Sequence, residues 1–174
     1  MRKFLICFIY VLGVLATPPA FADIRVDSWY RTGYHYSQRG HNKDAFMWMM
    51  RAAKAGHAAA QNNIGLSYLH GLGATKDEKE AFKWFEKAAK QGLSYAQSEL
   101  AMLYYRQGNT KKAYEWWLTA ANENDEYAQF NLASLLLEQN NFKQATYWFQ
   151  KANKNKHPQA QAALDKLRES EHVK

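Results

Sequence analysis

Six histidines carry the widest chemical repertoire in this chain, because a neutral imidazole can ligate a metal and take up a proton near neutral pH. His35, His41, His57, His70, His157 and His172 stand singly along the sequence. None completes a His-Glu-x-x-His pair, and no local His/Asp/Glu group has ligand spacing, so surface or turn roles are expected and no metal site. The only cysteine is Cys7, within the first 22 residues, which leaves no thiolate beyond them for catalysis, zinc or a disulfide. No serine is followed three residues later by lysine, and neither Gly-x-Ser-x-Gly nor a phosphate-binding loop is present. Gly71-Leu72-Gly73 falls between two predicted helices, without the strand that a nucleotide site requires. The residues therefore predict no catalytic group and no cofactor.

Two other side-chain types recur instead. Trp48, Trp84, Trp116 and Trp148 share one register position, where core packing outweighs a ligand platform, while Trp29 and Trp117 fall outside it, where core or boundary packing is favoured over a place at the array's edge. Lys79, Lys83, Lys87 and Lys90 form a basic stripe along one predicted helix, with Glu80 and Glu86 available for local pairing. A solvated outer face is the plain account of that stripe; docking to lipid headgroups or to an acidic protein is the sharper one.

The elements that position these residues are repeated. AFMWMMRAAKAG from Ala45, AFKWFEKAAKQG from Ala81, AYEWWLTAANEN from Ala113 and ATYWFQKANKNK from Ala145 place equivalent alanines 36, 32 and 32 residues apart. Self-similarity at this period marks a helical repeat array, whose units bury their apolar faces against one another. Upstream of each block, Ala60, Ala96 and Ala128 are each followed by Gln, with Gly33, Gly65, Ala101 and Ala133 at the next small position. Each unit thus reads as a hairpin, with helices expected at 28–38 and 43–55, 58–70 and 77–91, 94–106 and 110–123, 126–139 and 142–155. Asn42, Asp77, Thr110 and Asn141 are expected as caps of the second helices, and Gly56, Gly92 and Asn124 as their left-handed ends. Residues 158–170 echo the start of a fifth unit that acquires no partner helix, and should cap the stack. The fold class is all-α: a right-handed α–α solenoid of about four hairpins with a carboxyl-terminal capping helix.

Residues 1–22 read as a secretory signal peptide. Arg2 and Lys3 precede the apolar run Phe4–Leu15, and Ala20-Phe21-Ala22 offers a small-x-small cleavage site after Ala22. The run is shorter than the roughly 20 apolar residues a membrane-spanning helix needs, so no stable span is expected after removal of the signal. The chain has 23 Lys and Arg against 16 Asp and Glu, a net charge of +7. Loss of the signal would lower that to +5, a dispersed excess that fits solubility and anionic partners; an exported chain is not expected to meet nucleic acid. Residues 23–174 are then expected as one repeat domain, with repeats at 28–57, 58–93, 94–125 and 126–157 and a cap at 158–170.

The unit AQNNIGLSYLHGLGATKDEKEAFKWFEKAAKQG, from Ala60 to Gly92, resembles the Sel-one-like repeat (SLR) family, an α-solenoid relative of the tetratricopeptide repeats. It carries the family's Ala-rich first helix, Gly-x-Gly loop, Asp before the second helix and A-x-x-W-[YF]-x-x-A-A-x-x-G block. The third and fourth units depart from it: tight turns replace the loop, Ala101 and Ala133 replace its glycine, and Asn153 breaks the Ala-Ala pair. The resemblance implies an adaptor or binding protein, often of the bacterial envelope, and brings no catalytic residue. Claims attached to disulfide-rich relatives raise an alternative, a cell-wall or β-lactam-directed hydrolase; a self-assembling structural component of the envelope is a third.

In related solenoids the first helices line the concave side, so the variable stripe on those helices is the expected surface for a protein or peptide. It reads Arg31, His35 and Gln38 in the first unit and Asn63, Ser67 and His70 in the second. Glu99, Leu103 and Arg106 follow in the third, then Asn131, Leu135 and Glu138 in the fourth. The amino-terminal end shows no cap of its own, which points to a partner, a second copy of the chain or its own leader segment covering it. Export to the periplasm or beyond is expected from the signal.

Overall fold

The computed structural model describes residues 19–172. Among them every regular element is a helix: α1 (Pro19–Gln38), α2 (Asn42–Lys54), α3 (Ala58–His70), α4 (Glu78–Lys90), α5 (Ser94–Arg106), α6 (Thr110–Asn122), α7 (Glu126–Glu138), α8 (Phe142–Lys154) and α9 (Ala160–His172). Each odd-numbered helix up to α7 pairs with the next, and the second helix of each hairpin packs on the first helix of the following unit. The result is a right-handed α–α solenoid of four hairpins closed by a short terminal helix.

Local chemistry sets the helix ends. Asp77 Oδ1 accepts the amides of Lys79 and Glu80 at 2.9 and 3.1 Å, which fixes the start of α4. Asn141 caps α8 in the same way, but Asn109 rather than Thr110 caps α6, and Asn42 lies one residue inside α2 behind His41, whose side chain makes no cap bond. Past the second helices the chain turns through left-handed residues at Gly56, Gly92, Asn124 and Lys156. Lys156 carries a Cβ where the first two of these positions use glycine.

α1 is longer than the 28–38 expected. It begins at Pro19 and runs through Ala22, and Val26, Trp29 and Tyr30 pack on the first core cluster, so residues 23–27 continue the helix rather than lead into it. Residues 1–18, with the basic start and most of the expected signal, lie outside the described residues. No helix among the described residues is long and apolar enough to cross a membrane. At the other end, Leu164 and Leu167 of α9 are buried against the last core cluster while Asp165, Lys166 and Arg168 face solvent, as a cap requires.

The aromatic register divides differently from the expectation. The deepest position is the residue after each repeated tryptophan: Met49, Phe85, Trp117 and Phe149 are all buried, Trp117 with only 2 % of its surface exposed. The repeated tryptophans sit further out, Trp84 and Trp148 just buried and Trp48 and Trp116 half-buried. Trp117 is therefore core, the favoured of its two expected places. Small residues on the first helices make room for this inner column, since a Cβ added at Gly65 would come within 2.6 Å of the Phe85 ring.

A buried glutamine clamps each unit to the one before. The Nε2 groups of Gln61, Gln97 and Gln129 donate to the carbonyls of Ala53, Ala89 and Ala121 at 3.1, 3.4 and 3.0 Å. Gln91 and Asn155, at the ends of α4 and α8, then donate to the Oε1 atoms of Gln61 and Gln129. The corresponding residue after α6 is Glu123, whose side chain has no amide to donate, and Gln97 Oε1 has no partner among the described residues.

Candidate functional site

The first helices frame two clefts, one in each half of the stack. The amino-terminal cleft, of about 170 Å³, is mostly apolar: Tyr34, Met49, Leu66 and Leu72 line it with Asn63 and Ser67. The carboxyl-terminal one is larger, about 380 Å³, and as polar as it is apolar, formed by Glu99, Met102 and Arg106 on α5, Tyr127 and Asn131 on α7, and His157 in the turn before α9.

These clefts sort the twelve residues of the predicted stripe. Asn63 and Ser67 line the first cleft, and Glu99, Arg106 and Asn131 come together in the second from two neighbouring units. Arg31 borders a shallow recess on α1 with Ile24, Asp27 and Thr32. His35, Gln38 and His70 are exposed and line none of the three, and Glu138 is held by Tyr105, whose hydroxyl reaches both carboxylate oxygens at 2.8 and 2.9 Å. Leu103 and Leu135 do not belong to an open stripe: both are buried in the core, because a leucine at the middle position turns inward where the exposed His35 of the first unit does not.

The electrostatics of the second cleft are unusual for a helix surface. Burial pushes the Glu99 carboxyl above its usual value, against the opposing pull of His70 and Arg106, and no hydrogen bond to Glu99 forms among the described residues. Arg106 likewise forms no ion pair among them. The cleft thus presents a partly buried acid and a guanidinium without an ion pair among the described residues, with Asn131 and Tyr127 in the same lining. That arrangement suits a ligand offering both a donor and an acceptor, as a peptide backbone or terminus does. Ser98 and His157 share its lining, but no hydrogen bond joins them as a nucleophile and base would require. Among the described residues no three His, Cys, Asp or Glu side chains group as a metal site.

Two histidines have structural work that spacing alone did not reveal. His57 Nδ1 accepts the Ala60 amide at 3.1 Å at the start of α3, with Tyr30 stacked on its ring at 4.4 Å and Asp27 3.5 Å from its Nε2. His157 occupies the same place one hundred residues later: its Nδ1 accepts the Gln159 amide at 3.3 Å, and Phe130 stacks on it at 4.1 Å. Their identical offset before Ala60 and Ala160 was the available signal.

A stack of helical hairpins that exposes clefts between its first helices belongs to the α-solenoid repeat proteins, which build binding surfaces from repetition. Four Sel1 repeats match residues 28–57, 58–93, 94–125 and 126–157, so the chain belongs to the Sel1 repeat family, whose members bind proteins. Among solved structures it is similar to a Sel1 repeat protein from Oxalobacter formigenes, with 30 % identity and a TM-score of 0.74 over 87 % of this chain and 66 % of that one. It is also similar to c5321, a protective antigen of uropathogenic Escherichia coli strains with an SLR fold, with 29 % identity and a TM-score of 0.75 over 80 % of this chain and 32 % of that one. The chain thus spans about a third of one relative and just under two thirds of the other. PilF of Pseudomonas aeruginosa shares the fold alone, at 19 % identity and a TM-score of 0.70 over 88 % of this chain and 72 % of that one. No curated protein matches the chain significantly.

Proposed function

We propose that this chain is an exported, non-catalytic adaptor of the bacterial envelope that recognises a protein or peptide on the first-helix side of its solenoid. The observation that carries this reading is the convergence of Glu99, Arg106 and Asn131 in one cleft, an acid and a base left unpaired against each other at a junction of two repeats. Ligand choice in such a fold resides in surface residues that vary between units, and these three do. Export rests on the basic start, apolar run and Ala20-Phe21-Ala22 site; a relative described as a protective antigen is consistent with it.

The test is photo-crosslinking of the protein in cells, with partners recovered from the envelope fraction. Arg106→Glu together with Asn131→Ala should remove those partners, whereas Lys79→Ala on the opposite side should retain them. Undiminished capture by the double variant would move the site off this cleft. Amino-terminal sequencing of the recovered protein should begin at Asp23, and a chain still starting at Met1 would overturn export with cleavage.

A second reading concerns the amino-terminal end. Ile24 is 66 % exposed beside the recess on α1, an apolar side chain on an end that no helix covers among the described residues. A second copy of the chain could cover it there, and light scattering that finds a concentration-independent monomer would remove this reading.

A further inference from the structure

The outward faces of the second helices also repeat, fully in three units and at one position of three in the third. Two residues before the first alanine of each block stand Lys43, Lys79, Lys111 and Lys143. Six residues after it stand Arg51, Lys87 and Lys151, with Thr119 in the third unit. Nine residues after it stand Lys54, Lys90 and Lys154, with Asn122 in the third unit. At roughly 100° per residue these positions fall within an arc of about 80°, opposite the alanines that face the core. All are exposed except Lys151, which is partly so.

Charge follows the same division. Helices α2, α4, α6 and α8 carry twelve Lys and Arg against five Asp and Glu, whereas α1, α3, α5 and α7 carry three against five. The second helices thus carry an excess of seven positive charges and the first helices an excess of two negative ones. Ion pairing barely offsets it: among the described residues only Lys83–Glu80 and Lys90–Glu86 pair on α4, and α8 contains no acid. The basic group six residues on lies over the repeated tryptophan in three units, Arg51 on Trp48, Lys87 on Trp84 and Lys151 on Trp148, at 4.6, 4.2 and 5.1 Å. That contact holds the long stems in register. Met47 and Tyr147, 45 % and 50 % exposed, stand between the basic rows.

We propose that this second-helix face docks on an anionic phospholipid surface and leaves the first-helix clefts turned outward to a partner. Of its ten repeated cations only Lys43 borders one of the described recesses, beside Gly71 and Gly73, and nine of the ten are lysines, point charges without the forked geometry that arginine uses to select a carboxylate. A regular lattice of such charges is matched by headgroups that move laterally beneath it, and the exposed Met47 and Tyr147 suit the interfacial layer. The proposal does not depend on which ligand the clefts hold.

Co-sedimentation of the full chain with vesicles tests it. The apolar run Phe4–Leu15 partitions regardless of headgroup charge, so vesicles of phosphatidylcholine alone set the baseline. Vesicles containing about 30 % phosphatidylglycerol should bind at least about tenfold more tightly, and salt raised toward about 0.5 M should abolish the difference. The triple variant Lys143→Gln, Lys151→Gln, Lys154→Gln should lose about tenfold or more of this preference, as should Lys43→Gln, Arg51→Gln, Lys54→Gln, while Arg31→Gln keeps it. Equal binding to both vesicles, or undiminished preference in both triple variants with unchanged helical melting, overturns the proposal. Capture by soluble polyglutamate with anionic vesicles left unbound would also overturn it and assign the face to an acidic protein.

Discussion

Within every hairpin the two helices carry their repetition to different depths. On α2, α4, α6 and α8 the register continues from the inner column of Met49, Phe85, Trp117 and Phe149 outward to the lysines at the solvent edge. On α1, α3, α5 and α7 it stops inside: Gln61, Gln97 and Gln129 form the same clamp, yet two positions further along Asn63 and Asn131 flank a Glu at position 99, and all three line the clefts. Repetition reaching solvent needs a reason other than packing, because exposed positions place few demands on stability. Variation just above an invariant core is what a binding surface built on a scaffold requires.

The largest expected effect tests whether the two registers of the second helices differ in kind. Phe85→Ala empties a fully buried site against Gly65 and should cost about 3–5 kcal/mol in chemical denaturation. Lys43→Ala, in the outer register, should stay within about 0.5 kcal/mol. If Lys43→Ala cost as much as the core change, the outer lysines would be structural and the contrast would collapse. Fluorescence and circular dichroism should be followed together, since repeat units can unfold separately.

Period and apolar pattern made the hairpins, their order and the capping helix legible, because Ala, Trp and Gly at fixed offsets can satisfy only one packing. The depth of individual aromatics was not legible in the same way. Trp117 lies one residue outside the obvious register yet is the inner member of its unit, and only the stacking of neighbouring units decides which of two adjacent aromatics turns inward. The stripe was half legible for a related reason: counting three, seven and ten residues from an alanine reaches Glu99 and Asn131 in the cleft but also takes in Leu103 and Leu135, which pack into the core clusters. His57 and His157 take the turn role expected of isolated histidines; the cap bond made by Nδ1 shows in the sequence only through their shared offset before Ala60 and Ala160.

A smaller effect sharpens the comparison on the first-helix side. Gln61 and Gln129 have their Oε1 atoms satisfied by Gln91 and Asn155, while Gln97 faces the unit that ends in Glu123 and has no donor among the described residues. Glu123→Gln restores the donor at the equivalent place and should stabilise the protein by about 1 kcal/mol, the net value of one such bond together with relief of an orphaned acceptor. Gln91→Glu should do the reverse in the second unit. Equal melting temperatures for Glu123→Gln and the unaltered chain would show that the clamp needs no second bond.

The smallest effect concerns pH, and it separates the cap at the carboxyl end from the rest of the stack. Burial lowers the pKa of His157, with Glu126 pulling more weakly the other way, and its Nδ1 accepts the Gln159 amide, so the folded state favours the neutral ring. A group whose folded pKa is depressed in this way contributes stability that is fully present above its unfolded value of 6.5. The contribution is lost as pH falls through that value toward the lower folded one, because the unfolded chain then binds the proton first. His157→Asn keeps an amide acceptor at the cap but cannot titrate. The stability difference between the unaltered chain and His157→Asn should therefore favour the unaltered chain more at about pH 7.5 than at about pH 5. Glu99 and Asp125, whose carboxyls burial also shifts, are common to both proteins and cancel in the comparison. A difference that stays constant between the two pH values would mean that the ring stacked under Phe130 accepts its proton as readily folded as unfolded, and that the cap bond to Gln159 does not hold it neutral.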